Sequence, residues 1–314
     1  MSDAGVRLVA DGLAFPEGPT VLPDGSILVS EMAAGRLRRI DTAGVATTFA
    51  EIGGGPNGIA MLGDGRFVVC QSGGSAWGTG PWPRPDPAAV EIFRPIGPAP
   101  EPVTPGIVLV DRDGTWSTLA AEFRALDGST RSLSRPSDVC ADGLGGFYLT
   151  DGGAQHGRTR EVTGVLYGTT DGQVREVVFP LEMPNGVALS PADDRLYVAE
   201  TRTRRVWEFT IVAPGVVGGG RGFCTVPSGG PLNYGGADGL CVDGDGNVIV
   251  ASLGTGGVTV FAPDGELLGA IELDDPMTTN AALSADGDTL FVTLASSGRL
   301  VAIDHWWRRL SLLV

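Results

Sequence analysis

Lysine is missing altogether: all 22 basic residues of this 314-residue chain are arginine. That absence excludes Schiff-base chemistry, a pyridoxal enzyme and a P-loop ATPase, each of which needs an amine. Histidine is nearly as scarce, and with only His156 and His305 a three-histidine zinc site cannot be assembled. The four cysteines, Cys70, Cys140, Cys224 and Cys241, form no CxxC and no zinc spacing. Three of them, Cys70, Cys140 and Cys241, stand in apolar strand-like runs and read as buried thiols. No apolar run reaches the length of a membrane span, and the opening Met-Ser-Asp-Ala-Gly-Val-Arg lacks the apolar core of a secretory signal. Positive charge is in deficit as well: 37 acidic residues leave a net charge of −15, which disfavours nucleic acid and anionic membranes as partners. The expectation is a cytoplasmic protein, monomer or small homo-oligomer, whose partner is a small molecule.

Glycine is abundant, at 49 residues, without a collagen period. Such a load means many turns and close backbone approaches. The reason is a repeat. Glu17 opens Glu-Gly-Pro-Thr-Val-Leu-Pro-Asp-Gly-Ser-Ile-Leu-Val, Asn57 opens Asn-Gly-Ile-Ala-Met-Leu-Gly-Asp-Gly-Arg-Phe-Val-Val, and Asp238 opens Asp-Gly-Leu-Cys-Val-Asp-Gly-Asp-Gly-Asn-Val-Ile-Val. Further copies start at Ser137, Asn185 and Thr279, with apolar triplets at Phe147, Leu196 and Leu290. Each copy reads as a β-hairpin, with Asp-Gly or Gly-Gly supplying the positive φ of the turn. The six starts lie 40, 80, 48, 53 and 41 residues apart, and a four-stranded propeller blade needs roughly 40–50 residues. The chain therefore reads as all-β, a six-bladed β-propeller in one domain over 1–314, with an insertion at about 73–105. Val6–Ala10 is expected to complete the last blade and remove an open edge.

In a propeller the first strand of each blade lies nearest the axis, so the six openers ring one mouth of the channel. They are Glu17, Asn57, Ser137, Asn185, Asp238 and Thr279, and every one bears oxygen. The second strands return to the same face, bringing Glu31, Gln71, Asp151, Glu200 and Ser252 behind them. Such a ring suits a hard cation, because calcium takes six to eight oxygen ligands. Asn-Gly and Asp-Gly alone are ordinary turn formers, and Glu17 between Pro16 and Pro19 could be a solvated loop carboxylate. Registration favours the ring: an apolar strand start would serve a structural channel equally well, and none occurs. Calcium is the first expectation for the divalent ion; manganese and magnesium share its ligand chemistry, and zinc is the least suited of the candidates.

The stretches Phe15-Pro-Glu-Gly-Pro, Gly55-Pro-Asn-Gly, Arg135-Pro-Ser-Asp-Val, Met183-Pro-Asn-Gly and Ala237-Asp-Gly-Leu resemble the regucalcin/gluconolactonase family, as do Tyr148-Leu-Thr-Asp and Leu196-Tyr-Val-Ala-Glu-Thr. The resemblance runs from about residue 8 to 304. It implies a six-bladed propeller with a divalent ion, commonly calcium, in the central channel, and hydrolysis of sugar lactones, other lactones or organophosphates. It further implies Glu17, Asn185 and Asp238 as metal ligands, Asp238 also as the catalytic carboxylate, and Asn57 and Ser137 facing the substrate. Ser137 stands where many members have Asn. Gln71-Ser72 stands where sugar-lactone hydrolases often carry Glu-His, which moves the expected substrate away from a polyhydroxylated sugar.

The insertion holds nine of the 22 prolines, together with Trp77 and Trp82. A stiff, extended segment suits a lid over the metal-bearing face, and a loop packed on the blade exterior or in an oligomer contact is the alternative. As a lid it implies a substrate more apolar or larger than gluconolactone. Gln71, Asp151, Trp77 and His156, in the loop after Asp151, complete the expected substrate contacts, although a lone loop histidine is ordinarily solvated. The expected activity is a metal-dependent ester-ring hydrolase in which the ion polarises the lactone carbonyl. Asp238 orients or deprotonates the water, attacks as a nucleophile, or yields to water activated by the ion. A phosphoester or organophosphate hydrolase and a non-catalytic calcium-holding binding propeller are the alternatives. No G-x-S-x-G elbow supports a serine triad. His305–Leu310 reads as a short helix or an oligomer contact, its two tryptophans packing on the last blade.

Overall fold

In the computed structural model the described residues are 5–81, 91–227 and 236–311. Trp82 and the prolines at 83, 85 and 87 lie outside them. Among the described residues six sheets of four or more strands are arranged as blades, antiparallel except for one parallel pairing added to the outer edge of the third. The innermost strands are Pro16–Val21, Pro56–Met61, Pro136–Ala141, Pro184–Leu189, Gly236–Val242 and Thr278–Leu283. Each starts within two residues of the opener read from the repeat. Neighbouring inner strands face one another around the axis, the sixth against the first.

The turns follow the Asp-Gly signal with one difference. At the first hairpin only Gly25 is left-handed, at φ 81°, and Asp24 instead accepts from the Ser26 amide at 3.1 Å. The aspartate is thus a side-chain cap and the glycine alone carries the positive φ. Strand faces are apolar because each blade packs on two others. One buried cluster fills each blade junction, for example Val68, Cys70 and Ile107 against Phe147 and Leu149, or Ile249 and Val258 against Leu290 and Val292. Val6–Ala10 pairs antiparallel with Arg299–Asp304, so the sixth blade is built from both ends of the chain. At the far end, Trp306–Arg309 is a single 3-10 turn whose Trp306 is buried in the last junction. No helix among the described residues is long and apolar enough to cross a membrane.

The long gap between the second and third openers contains two additions. Ser75–Pro81 and Glu91–Pro98 pair as a hairpin between the second and third strands of blade two. Glu122–Arg124 and Thr130–Ser132 form another hairpin, which extends the outer edge of blade three. The first hairpin leaves blade two on the opener face and crosses to blades one and six. Its Trp77 lies 4.7 Å from Phe15 and 5.7 Å from Phe93, ring centre to ring centre. The Phe93 amide donates to Ser296 Oγ at 3.1 Å. Phe15, Met32, Ala295 and Met277 complete this apolar cluster. The insertion is therefore docked across part of the opener face, and its packing partners are the entrances to two other blades.

Candidate active site

All six inner strands share a feature invisible in the repeat: a β-bulge at the opener. Register shifts fall between Glu17 and Thr20, Pro56 and Ile59, Pro136 and Val139, Pro184 and Val187, Ala237 and Leu240, and Thr278 and Asn280. A bulge bends the strand and re-aims a side chain. Prolines 16, 56, 136 and 184 sit just before it, at the first strand position, where their missing N–H is tolerated. The openers are consequently brought together at the axis. Glu17, Ser137, Asp238 and Thr279 are buried, while Asn57 and Asn185 are half-buried.

Contacts tie these residues into one oxygen-rich cluster. The Asn185 side-chain amide donates to Asp238 Oδ1. Glu17 Oε2 accepts from the Gly18 amide at 3.0 Å, and Glu17 also accepts from the side chains of Asn280 and Thr279. Thr279 Oγ1 reaches the Pro16 carbonyl at 3.3 Å and Thr293 Oγ1 at 3.0 Å, closing the ring between blades six and one. Ser137 Oγ donates to the Arg135 carbonyl at 3.2 Å.

Two members of the cluster were not singled out from the sequence. The residue after the opener is glycine in four blades, but Asp138 in blade three and Asn280 in blade six. Asn280 Nδ2 lies 3.5 Å from Asp138 Oδ2, and Asp138 Oδ1 accepts from the Val139 amide at 3.0 Å. The facing glycines make room for them: a Cβ on Gly58 would collide with Asp138 Oδ1, and a Cβ on Gly239 with the Asn280 carboxamide. The break in the glycine pattern was the available signal.

Three carboxylates thus sit buried at the axis, and the electrostatics are unfavourable as they stand. Burial pushes Glu17 up to about 7 against the lowering pull of its hydrogen bonds. Burial, then the charge of Glu17, pushes Asp138 up to about 8. Burial, then the charges of Glu17 and Asp138, holds Asp238 well above the ordinary carboxylate range. Among the described residues none of the three forms an ion pair with an arginine. Such a set lacks either protons or a cation. Among the described residues no three acid, thiol or imidazole groups alone make a ready metal cage; amide and hydroxyl oxygens would have to contribute, a donor set that fits a hard ion rather than zinc.

The second row lies behind the openers and holds loop backbone. Glu31 Oε1 accepts from the Ala14 amide at 2.8 Å and its other oxygen pairs with Arg36. Gln71 Oε1 accepts from the Gly55 and Gly73 amides, and its Nε2 donates to the Gly53 carbonyl. Asp151 accepts from the amides of Ser134, Arg135 and Gly153. Glu200 accepts from the Glu182 amide at 2.7 Å and from Thr203. These side chains clamp the loops entering the first four openers, and Gln71 and Asp151 are buried behind the mouth. Ser252 Oγ bonds Thr259 Oγ1 at 2.8 Å within its own blade. His156 is exposed on the small hairpin Gln155–His156/Thr159–Arg160, 3.3 Å from Glu161 Oε1. Trp77 is half-buried in the docked hairpin.

Comparison with known proteins adds the following. Residues 15–296 match the family model described as SMP-30/Gluconolactonase/LRE-like region. The chain is 32% identical over 171 residues to diisopropyl-fluorophosphatase of Loligo vulgaris, a match covering 51% of this chain and 52% of that one. It is 28% identical over 279 residues to lactonase drp35 of Staphylococcus haemolyticus, covering 86% and 71%. The matches thus span about half the length of the squid enzyme and about seven-tenths of the staphylococcal one. Among solved structures, a gluconolactonase from Xanthomonas campestris superposes with a TM-score of 0.73 at 23% identity, over 95% of this chain and 89% of that one. A calcium-binding regucalcin from Agrobacterium tumefaciens gives 0.70 at 18%, over 95% and 92%. At those identities the likeness is one of fold.

Proposed function

Because the chain belongs to the SMP-30/gluconolactonase/LRE-like family, we propose that it is a divalent-metal-dependent hydrolase that opens lactones at the axial cluster. The observation that carries this reading is the convergence of Glu17, Asp138 and Asp238, three buried carboxylates that pair with no arginine among the described residues, on the bulged inner strands of blades one, three and five. Glu17, Asn185 and Asp238 would hold the ion, calcium first. When bound, it supplies charge that polarises the lactone carbonyl and favours the oxyanion that develops there.

The protein's own groups do the rest. Asp238 takes the proton of the water that adds to the carbonyl carbon. As the ring C–O bond breaks, that proton passes to the departing ring oxygen, leaving a hydroxy acid. Asn57, half-exposed at the mouth, donates from its amide to a substrate oxygen, and Ser137 would do so from its hydroxyl on releasing the Arg135 carbonyl. Asn280 holds Glu17 by its side-chain hydrogen bond and reaches Asp138 at 3.5 Å across the axis. The clamps made by Gln71 and Asp151 keep the openers' backbones fixed, which preserves the geometry on which rate depends. Trp77 walls the mouth on the side of blades one and six.

The test is acid release in weak buffer over a panel of sugar, aliphatic and aromatic lactones, with calcium and again with excess chelator. Chelator-sensitive turnover is expected. Silence on every lactone, with turnover of a fluorophosphate by the same preparation, would transfer the site to phosphoester-type chemistry, in line with the diisopropyl-fluorophosphatase of Loligo vulgaris.

A further inference from the structure

A second cavity lies at the other end of the inner strands from the openers, where the hairpin turns of blades five and six meet the C-terminal 3-10 turn. Its volume is about 490 Å³, within the usual range for a small-molecule site.

The end of the chain fixes its walls. Ser311 and Ala270 exchange both backbone hydrogen bonds, at 2.9 and 3.0 Å, which stitches the segment after Trp306–Arg309 to the outer strand of blade five, Leu267–Ile271. Trp306 Nε1 donates to the Gly287 carbonyl at 3.1 Å and ties the same segment to the blade-six turn. Trp306 is thereby buried. Trp307 stands edge-on to it, ring centres 6.0 Å apart, and keeps 41% of its surface exposed. Val260, Leu268 and Leu310 make the remaining wall apolar.

Four carboxylates line the rest: Asp243 and Asp245 from the blade-five turn, Asp286 and Asp288 from the blade-six turn. Two of them serve their own turns. Asp243 accepts from the amides of Asp245 and Asn247 at 3.0 and 2.8 Å and from Asn247 Nδ2 at 2.7 Å. Asp286 accepts from Ser284 Oγ at 2.6 Å and from the Asp288 amide at 3.1 Å. The side chains of Asp245 and Asp288, both exposed, have no hydrogen bond or ion pair among the described residues. The first two blades differ at the same place, for there the turn aspartate meets an arginine, Asp24 with Arg39 and Asp64 with Arg66. Among the described residues no arginine pairs with any of the four aspartates at blades five and six. His305 acts on Asp286, and Arg309 is turned toward Gly5.

An indole beside anionic oxygens is the chemistry that holds an organic cation. The ring attracts a charge spread over methyl groups, and the carboxylates strengthen that attraction. A bare calcium ion fits less well, because it takes six to eight oxygens and the indole and aliphatic walls offer none. We propose that this cavity binds a small alkylated ammonium compound, with its cationic head between Trp307 and the carboxylates of Asp245 and Asp288. Val260 and Leu268 receive its apolar arm. No residue of the axial cluster takes part, so the inference stands or falls apart from the lactonase reading.

The test is a ligand-observed NMR titration of the full chain with choline and with its neutral carbon isostere, dimethylbutanol, calcium being present to occupy the axial carboxylates. Choline should bind ~10-fold or more tightly than the alcohol, and added salt should weaken it. Trp307→Leu should weaken choline by ~5-fold or more, as should Asp245→Asn combined with Asp288→Asn. All three positions are exposed, so both variants should melt near the wild-type temperature. Equal binding of choline and alcohol, binding of neither, or a choline affinity untouched by both variants would overturn the proposal. Tighter binding of acetyl-lysine amide than of choline would make the cavity a dock for a protein side chain and overturn it equally.

Discussion

The side-chain amide of Asn185 donates to Asp238 Oδ1, joining the openers of two successive blades that are 53 residues apart in sequence. A carboxamide can present either its nitrogen or its oxygen. With the nitrogen forward the pair is a hydrogen bond; turned over, it offers two oxygens to a cation. Asn185→Leu removes that option while keeping the volume. Calcium affinity should fall by ~10–100-fold, as for residues that orient a metal site, measured by titration calorimetry.

Asp238→Ala should lower kcat by about 10²–10⁴-fold, the usual range for a positioned acid–base group. The assay is acid release at saturating lactone, with bound calcium quantified by elemental analysis in the same sample. Activity within a factor of three of wild type would remove Asp238 from the chemistry.

Calcium should stabilise the fold. At about 100 times its dissociation constant a ligand contributes ~2.7 kcal/mol, which for a chain of this size is a rise of about 4 °C in melting temperature. Scanning fluorimetry with calcium and with chelator reads this directly.

The metal-free protein should respond to pH in a particular sense. Glu17 is raised to about 7 and Asp138 to about 8 in the folded state, against 4.5 and 3.8 when unfolded. Between those limits the folded chain holds protons that the unfolded chain has lost, so stability falls as pH rises from about 4 to 8. Chelated protein should therefore melt higher at pH 5.5 than at pH 8, and saturating calcium should flatten the difference.

Trp77 bridges the hairpin to Phe15 at 4.7 Å. Trp77→Ala should loosen the hairpin without unfolding the blades, which have their own junction clusters. The expected outcome is a KM for long-chain aliphatic lactones raised several-fold, with a smaller effect on γ-butyrolactone. Unchanged selectivity would make the hairpin a structural strap only.

The openers were legible because each is a polar residue set immediately before an apolar run, and that pattern recurs in six copies. The closing strand Val6–Ala10 was legible for a related reason, since a propeller leaves one edge that must be paired. Bulges left no trace in the repeat, because a shift in pairing depends on the neighbouring strand and not on local composition. Asp138 and Asn280 were passed over because each takes a slot that is glycine in the other blades, and their value lies in contacts across the axis. Glu31, Gln71, Asp151 and Glu200 were placed on the correct face. That they hold loop amides was not legible, because those amides belong to residues 16 to 18 positions away, a distance over which sequence spacing is silent.

Each opener rides on a bulge made by its own blade and is backed by clusters shared only with the two flanking blades. The axial site is therefore a set of six separately addressable positions on one rigid frame. Exchanging Ser137 for Asn or Thr279 for Asp would alter the charge and denticity of the ring while leaving the backbone that presents it unchanged. A single scaffold of this kind can hold different ions and attack different bonds through changes at single positions, so diversity of reaction among proteins sharing it requires no redesign of the fold.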